Sequence, residues 1–296
     1  MLGIIGGTGL ADALFGQVDG TDHVIETPFG APSGPVRVVH WQGLEVALLA
    51  RHGAGHLLNP SQVPYRANIY AMKSLGVTHL IASGAVGSLR EEFRPRELVI
   101  VDQVIDRTYR RVPTFFDAGL AVHVEFAEPF CPVLRQRLLA AGTQIETKVH
   151  PHGTYICMEG PAFSSQAESR LHRAWGGDLI GMTLMPEAKL AREAEIAYAA
   201  IALITDYDCW RPHEPGATKQ KLLEEILDNL HAATHNAIAL LRAALADFAR
   251  QPPGASPAHS ALELAIWSDR AKIAPETVRQ YGVLLKRQLG EQKQNG

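Results

Sequence analysis

Short runs of apolar and β-branched residues recur along this chain, and segments with helical spacing separate several of them. The runs are LGII (2–5), VRVVH (36–40), EVALLA (45–50), HLIAS (79–83), ELVIVDQVI (97–105) and AYAAIALIT (197–205). Strands that alternate with helices favour an α/β domain, because parallel strands need a crossover that a helix supplies. We therefore expect one α/β domain with a central mixed, largely parallel β-sheet flanked by helices.

Several segments between these runs carry helix boundary signals, either a final glycine or a proline in the first turn. They are PYRANIYAMKSLG (64–76), CPVLRQRLLAAG (131–142) and PEAKLAREAE (186–195). A long amphipathic helix is predicted from about residue 219 to 250, where apolar residues recur at helical spacing. We take residues 1–250 as the α/β domain and expect residues 251–296 to be a linker and helical extension, packed on the same or a neighbouring subunit.

Composition excludes several classes of protein. The 296 residues carry 28 Lys and Arg against 31 Asp and Glu without a polybasic run, which argues against nucleic-acid or membrane-surface binding. No stretch approaches the ~20 apolar residues of a membrane span, and the N-terminus lacks a basic signal region. Cys131, Cys157 and Cys209 form no CxxC pair and no zinc pattern. We expect a cytoplasmic protein without a bound metal.

Glycine-rich or polar turns follow several of the predicted strands. They are GIIGGTGL (3–10), LARHG (49–53), ASGAVGSL (82–89) and GMTLMPEAKLA (181–191). Glycine lets backbone N–H groups approach an anion, arginine suits bidentate phosphate binding, and helix N-termini favour anions. Ligands of α/β proteins bind at the carboxyl ends of strands. The residues predicted to form a phosphate cradle there, without a metal, are Thr8, Arg51, His52 and Thr183.

Each of these turns also has an ordinary structural explanation. The first is not a dinucleotide fingerprint, because Asp12 stands where the third glycine belongs, and the chain has no GK[ST] sequence. It could be a tight turn without a ligand, and Arg51 could form an ion pair at the end of its strand. The strand ends taken together favour an anion site.

The stretch TDYDCW (205–210) places Asp206 and Asp208 directly after an apolar run. In an extended chain, residues i and i+2 point to the same side, so we expect these acids to share a face with Tyr207 opposite. Burying carboxylates is costly without partners, and of two neighbouring carboxylates one can have a raised pKa. The pair is therefore a candidate site of proton transfer.

Many motifs match one known family in order, over nearly the whole chain. The matching stretches are GIIGGTGL, TPFGAPS, LARHG, YRANIYAMKSLGVTHLI, GSLREEF, DQVIDRT, FAEPFCP, EGPAFSS, MPEAKLA, TDYDCW and YGVLLKR. On these the sequence resembles the trimeric purine nucleoside phosphorylases, most closely their methylthioadenosine phosphorylase branch. The resemblance implies the nucleoside phosphorylase fold with C-terminal helices, and a homotrimer or a dimer of trimers.

The resemblance also implies a reaction. Inorganic phosphate attacks the anomeric carbon of 5′-methylthioadenosine and releases adenine and 5-methylthioribose 1-phosphate, without a cofactor, in purine and methionine salvage. By motif, the phosphate ligands would be Thr8, Arg51, His52, Gly84, Ala85 and Thr183. Of these, Gly84 and Ala85 would lie in the loop after their strand. The substrate contacts would be Met182 at the ribose and Phe163 at the base, together with Tyr207. His123 and Leu284 would contribute to the 5′ pocket of the neighbouring subunit.

On the base side, Asp206 would donate a proton to purine N7 and Asp208 would orient it, with acceptors facing the 6-amino group. A carboxylate accepts a hydrogen bond from a 6-amino group but repels a 6-oxo group. In the 6-oxopurine branch of the family, asparagine stands at position 206 and glutamate at position 164. Asp206 and Ser164 therefore favour adenine.

The sequence departs from the branch at three positions. Gly84 replaces a threonine, Gly181 replaces an asparagine as in the 6-oxopurine and methylthioinosine branches, and Lys219 falls where a small apolar residue faces the methylthio group. Two alternatives therefore stay open. The enzyme could act on adenosine, 6-oxopurine nucleosides or methylthioinosine, or the chain could be a nucleotide-binding α/β protein without turnover.

Overall fold

The computed structural model describes residues 1–16, 18–211 and 218–289, and in these ranges one mixed sheet forms the centre of the molecule. Its strands are β1 (Leu2–Gly6), β2 (Gly20–His23), β3 (Val36–Trp41), β4 (Leu44–Ala50), β5 (His79–Ser88), β6 (Leu98–Ile100), β7 (Gln103–Arg107), β8 (Val149–His150), β9 (Thr154–Met158), β10 (Leu179–Gly181) and β11 (Ala197–Asp206). The α-helices are α1 (Leu10–Phe15), α2 (Tyr65–Ser74), α3 (Pro132–Gly142), α4 (Gln166–Ala174), α5 (Leu184–Glu193), α6 (Lys219–Arg250), α7 (Pro275–Tyr281) and α8 (Lys286–Leu289).

The strands follow the order β2-β3-β4-β1-β5-β10-β9-β7, while β11 pairs with β5 and β6, and β8 with β6. At the centre, β1 runs parallel to β4 and β5, and β11 runs parallel to β5. The antiparallel pairs are β2 with β3, β3 with β4, β10 with β5, and β11 with β6. The predicted mixed, largely parallel sheet is confirmed.

Strand β5 is longer than its sequence suggests. The prediction ended the strand at Ser83 and assigned the small residues that follow to a loop, but the strand continues to Ser88. Its far half pairs with β11 as far as Gly87 and with β10 at Gly87 and Ser88. Continuous pairing with β11 overrides the low strand propensity of glycine at Gly84. Gly84 and Ala85 therefore lie within a strand, and the predicted loop is wrong.

Both faces of the sheet are covered by apolar clusters. In β1 and β4, neighbouring residues point to opposite faces: Ile5 and Leu49 belong to one cluster, and Ile4 and Leu48 to the other. Such alternation is the geometry of a strand buried on both sides. Helices α2 and α5 supply side chains to the first cluster, and α1, α3 and α6 to the second.

The C-terminal extension packs on its own subunit. Leu262, Tyr281 and Leu285 are 0% exposed and join the same cluster as the strands. The Tyr281 hydroxyl also donates a hydrogen bond to the Ala118 carbonyl at 2.6 Å. The extension therefore contributes to the core of the α/β domain, and its contact with a neighbouring subunit stays a prediction. Among the described residues, no helix is long and apolar enough to cross a membrane.

Candidate active site

The predicted anion-binding turns lie towards one edge of the sheet because β1, β4, β5 and β11 are parallel, although β5 and β11 continue past the ends of β1 and β4. Along one side of β5, pairing with β1 ends at Ala82 and pairing with β10 begins at Gly87. Residues 83–86 therefore lie at a gap between two neighbouring strands. Thr8 follows β1, which borders this gap, and Arg51 and His52 follow β4 on the far side of β1.

The glycine turn after β1 packs closely against β5. The Gly7 N–H donates to Ser83 Oγ at 3.2 Å. A Cβ atom at Gly7 would lie 2.7 Å from the Ser83 carbonyl oxygen and 2.8 Å from Arg51 Nη1, so only glycine fits there. Thr8 follows Gly7 directly, and its contact with phosphate stays a prediction.

Arg51 is completely buried and forms a bidentate ion pair with Glu187 of α5. Its Nε and Nη2 donate to the two carboxylate oxygens at 2.7 and 2.8 Å, and Nη1 donates to the Ser83 carbonyl at 2.7 Å. Burial alone would lower the pKa of Arg51, but the Glu187 carboxylate outweighs it and raises the pKa. The ion pair considered at the sequence level exists, and contact with phosphate stays a prediction.

His52 is buried beside this pair and neutral at pH 7. Burial and the Arg51 charge lower the pKa of His52 to about 4. Its Nδ1 lies 2.7 Å from the Leu58 carbonyl, which only accepts, so Nδ1 carries the proton. Nε2 is then an acceptor. The ring of His56 stacks on His52 at 4.2 Å, which agrees with a supporting role.

Thr183 immediately precedes α5 and lies against the gap in β5. A Cβ atom at Gly84 would be 3.4 Å from Thr183 Oγ1, which is ordinary contact. The element is assigned from Leu184, but Met185 has non-helical backbone angles (φ −116°, ψ 135°), so the regular helix begins at Pro186, as predicted, and Thr183 precedes it by three residues. Thr183 and Gly84, two of the predicted phosphate ligands, are thus neighbours, and their contact with phosphate stays a prediction.

The structure explains why residue 181 is glycine. A Cβ atom at Gly181 would lie 2.0 Å from the Tyr155 hydroxyl oxygen, so the tyrosine occupies the side-chain space of position 181. The Tyr155 hydroxyl also accepts a hydrogen bond from the Thr183 N–H at 3.3 Å. A polar group from β9 thereby stands where the asparagine of related sequences would project.

Gly181→Asn is therefore expected to lower the free energy of unfolding by about 3 kcal/mol, because the buried tyrosine cannot move aside. Urea denaturation followed by circular dichroism measures this. Gly34→Asn is the matched control, since a Cβ atom there meets nothing within 4 Å, and it should change stability by less than about 0.5 kcal/mol. Equal stability of the two variants would contradict the steric explanation.

Asp206 and Asp208 are adjacent, but a turn rather than an extended chain joins them. Asp206 ends β11 after a bulge, and Asp208 has a φ of 49°, which differs from the expected strand geometry. The Asp208 N–H donates to Asp206 Oδ1 at 2.7 Å, and the Thr205 hydroxyl donates to Oδ2 at 2.7 Å. These donors hold the Asp206 carboxylate in a fixed orientation.

Asp208 lies against α4 and the loop before it. Burial raises the pKa of Asp208, while the nearby hydroxyls of Ser169 and Ser164 act in the opposite direction. Ser164 is thus beside the acids, as its predicted role in base choice requires. Tyr207 turns elsewhere: its hydroxyl donates to the Glu91 carbonyl at 3.4 Å and its ring lies against Trp210. A substrate contact of Tyr207 stays a prediction.

The loop that carries Ser164 is tied to the Met182 segment by an arginine that the sequence analysis did not single out. Arg111 donates to the Met182 carbonyl at 2.6 Å and to the Glu159 carboxylate at 3.3 Å. Phe163, on the same loop, is 86% exposed, so it is not a core aromatic residue. Stacking on a flat ring remains open to it.

The residues predicted for the 5′ pocket differ in exposure. His123 is exposed and its ring lies 4.7 Å from that of Trp267. Leu284 is only 2% exposed and packs in its own subunit's core, which does not fit a side chain lent to a neighbour. Lys219 is exposed at the first position of α6, and its place near a 5′ substituent stays a prediction.

Metal ligands are not clustered in the ranges that the structure covers. Within residues 1–16, 18–211 and 218–289, no group of three or more histidine, cysteine, aspartate or glutamate side chains could hold a metal ion. The cradle offers hydroxyls, backbone N–H groups and a cation instead. Such groups suit an anion.

Comparisons with known proteins agree with this geometry. The model of the phosphorylase superfamily matches residues 1–246. S-methyl-5′-thioadenosine phosphorylase of Gloeobacter violaceus is 47% identical over 289 residues, which are 96% of this chain and 94% of the relative. The same-named protein of Thermosynechococcus vestitus is 46% identical over 293 residues, 97% of this chain and 99% of its own.

Solved structures give the same result. The crystal structure of methylthioadenosine phosphorylase from an antarctic soil metagenomic library superposes with a TM-score of 0.86 at 43% identity, covering 96% of this chain and 98% of the other. A mutant adenosine/methylthioadenosine phosphorylase from Schistosoma mansoni in complex with adenine superposes with a TM-score of 0.75 at 36% identity, covering 84% and 91%.

Proposed function

This chain belongs to the phosphorylase superfamily, and we propose that it catalyses the phosphorolysis of 5′-methylthioadenosine to adenine and 5-methylthioribose 1-phosphate. The names of its relatives support the substrate. The reaction needs inorganic phosphate as second substrate and no cofactor. It makes the protein a pentosyltransferase of purine and methionine salvage.

One observation carries the proposal: the anion-binding groups and the acids meet along the same strand. Thr183 lies beside Gly84, and Asp206 of the neighbouring strand pairs with Gly87, so both groups border the far half of β5. Positions 84 and 87 are about 10 Å apart in a strand that rises ~3.3 Å per residue. A ribose that joins a phosphate to a purine spans a similar length.

In the phosphate half, Thr8, Thr183 and the β5 backbone at the gap would hold the anion, with Arg51 and His52 behind it. Because His52 is neutral with Nε2 as acceptor, it suits a phosphate that brings its own proton. Bound next to C1′, the dianion stabilises the positive charge that develops on the ribose as the glycosidic bond breaks. Phosphate then becomes bonded to C1′, and the purine leaves with the electron pair of the C1′–N9 bond.

In the base half, the leaving purine gains negative charge, and a proton on N7 neutralises it. Asp206 would carry that proton to N7, oriented by the Thr205 hydroxyl and the Asp208 N–H. Both groups donate to the ionised carboxylate, so protonated Asp206 would give its proton up readily. General acid catalysis of this kind contributes about 10²–10⁴-fold. Asp208 and Ser164 would face the 6-amino group.

The test is phosphate-dependent release of base from methylthioadenosine, measured beside adenosine, inosine and methylthioinosine. We expect adenine release from methylthioadenosine to be the fastest. The 6-oxopurine alternative rested on Gly181, which Tyr155 now explains without reference to the base. Release of hypoxanthine alone would favour that alternative, and no release from any nucleoside would indicate a binding protein without turnover.

Gly84→Thr is expected to lower the KM for phosphate about threefold to tenfold, which corresponds to one added hydrogen bond. The space for a Cβ atom exists, and the new hydroxyl would lie beside Thr183. Initial rates at varied phosphate concentration measure the change. Gly84→Val has nearly the same shape without the hydroxyl, so equal effects of the two variants would show that the hydroxyl is not used.

We also propose a cytoplasmic homotrimer, in which exposed residues around His123 and Trp267 meet a neighbouring subunit. Trp267 is 72% exposed and Leu264 is 88% exposed, which is unusual for large apolar side chains. Light scattering at working concentration measures the mass. A monomer would contradict the trimer, and a hexamer would indicate a dimer of trimers.

A further inference from the structure

A buried polar cluster lies behind Asp208, on the side of α4 that faces the sheet. Ser169 and His172 are three residues apart on this helix, and they are 0% and 6% exposed. Among the residues that the structure describes, Ser169 Oγ, His172 Nδ1 and Asp208 Oδ2 are buried atoms without a hydrogen-bond partner. Native interiors seldom leave such groups unpaired, because each costs about 1–3 kcal/mol.

These atoms complement one another. Asp208 offers a carboxylate oxygen, while a serine hydroxyl and a protonated ring nitrogen both donate. The Ser169 hydroxyl is close enough to act on the titration of Asp208, and Asp208 and His172 influence each other electrostatically. None of the three atoms has another hydrogen-bond partner among the described residues, so each is available to the others. The cluster is thus arranged to stabilise a carboxylate at position 208.

The other groups around the cluster do not replace these donors. Glu168 of α4 raises the pKa of His172, and Arg107 at the end of β7 lowers it, but burial has the largest effect and leaves the ring neutral near pH 7. Cys209 follows Asp208 on the turn. Burial raises the pKa of the Cys209 thiol, and the Asp208 carboxylate raises it further. Ser169 and the neutral ring of His172 therefore decide the state of Asp208 together with Ser164.

The protonation state of Asp208 decides which purine fits. An ionised carboxylate only accepts hydrogen bonds, so it pairs with a 6-amino group and repels a 6-oxo group. A protonated carboxyl group donates, and would pair with a 6-oxo group. We propose that Ser169 and His172 keep Asp208 as a hydrogen-bond acceptor, and thereby restrict the site to 6-aminopurines. The inference rests on the proposed function, and it makes both residues positioning residues for base selection.

The test compares wild type with Ser169→Ala, His172→Phe and the double variant. The measurement is kcat/KM for methylthioadenosine and methylthioinosine between about pH 5 and 9. Without its donors, Asp208 binds a proton at higher pH. In the double variant, we expect the acidic limb of the pH profile of kcat/KM for methylthioadenosine to move up by about one pH unit. We also expect the ratio of kcat/KM for methylthioadenosine to that for methylthioinosine to fall about tenfold.

Several controls separate this role from a structural one. Ser169→Thr and His172→Gln keep a donor and should retain the wild-type preference and pH profile. Arg170→Ala changes the exposed face of the same helix and should also retain the wild-type preference and pH profile. If the double variant does not fold, Ser169→Ala alone removes one oxygen atom and still tests the shift.

Two failures are distinguishable. A wild-type protein that releases no adenine from methylthioadenosine would overturn the proposed function. If the wild type releases adenine, and the folded variants keep the same substrate preference and the same acidic limb, the proposed role of Ser169 and His172 is wrong while the proposed function stands.

Discussion

Asp206→Asn is expected to reduce kcat/KM for methylthioadenosine by about 10²–10⁴-fold, the range for loss of a general acid. The asparagine Oδ1 can still accept from the Asp208 N–H, and the Thr205 hydroxyl can accept from the new NH₂ group while it donates to the Val86 carbonyl, so the fold should not change. It cannot transfer a proton to purine N7. The effect should appear in kcat as much as in kcat/KM, because the lost interaction forms in the transition state.

The amide also changes base choice, since its NH₂ group can donate to a 6-oxo group. We expect the ratio of activity on methylthioinosine to activity on methylthioadenosine to rise in Asp206→Asn. Asp22→Asn is a suitable control, because Asp22 pairs with Arg37 in the β2–β3 hairpin, away from the acids. Adenine release at the wild-type rate in Asp206→Asn would remove Asp206 from the mechanism.

The sequence predicted the elements whose signals are local. The apolar runs located β1, β3, β4 and β11, and the turns after them located Thr8, Arg51 and Asp206. Local signals failed where pairing decided the structure. Hydrogen bonds to β10 and β11 extend β5 through a glycine-rich stretch, and a turn replaces the extended chain at Asp208.

The partners of the site residues could not be read from the sequence. Glu187 is 136 positions from Arg51 along the chain, and nothing in either motif indicates that they meet. Tyr155 likewise explains Gly181 only once β9 and β10 are known to be neighbours. Motif resemblance transfers the residues that touch a ligand, whereas the charges and volumes that support them depend on the packing of distant elements.

The Arg51–Glu187 pair gives the largest expected effect on stability. Both side chains are 0% exposed, so Glu187→Gln leaves a buried guanidinium without a counter-charge. Removing one partner of a buried pair costs about 3–5 kcal/mol. We expect a loss of this size in the free energy of unfolding in phosphate-free buffer, measured by urea denaturation. Glu276→Gln breaks an exposed pair with Arg279 and should cost less than about 1 kcal/mol.

Phosphate should partly rescue Glu187→Gln, because a dianion bound beside Arg51 supplies the missing negative charge. Any ligand that binds only the folded state stabilises it, and the gain increases with affinity. Phosphate should therefore raise the melting temperature of Glu187→Gln more than that of the wild type. Equal shifts would mean that Arg51 does not sense the bound phosphate. In that case Glu187 would hold Arg51 as part of the core, and the phosphate cradle would consist of the hydroxyls, His52 and the backbone N–H groups at the gap in β5.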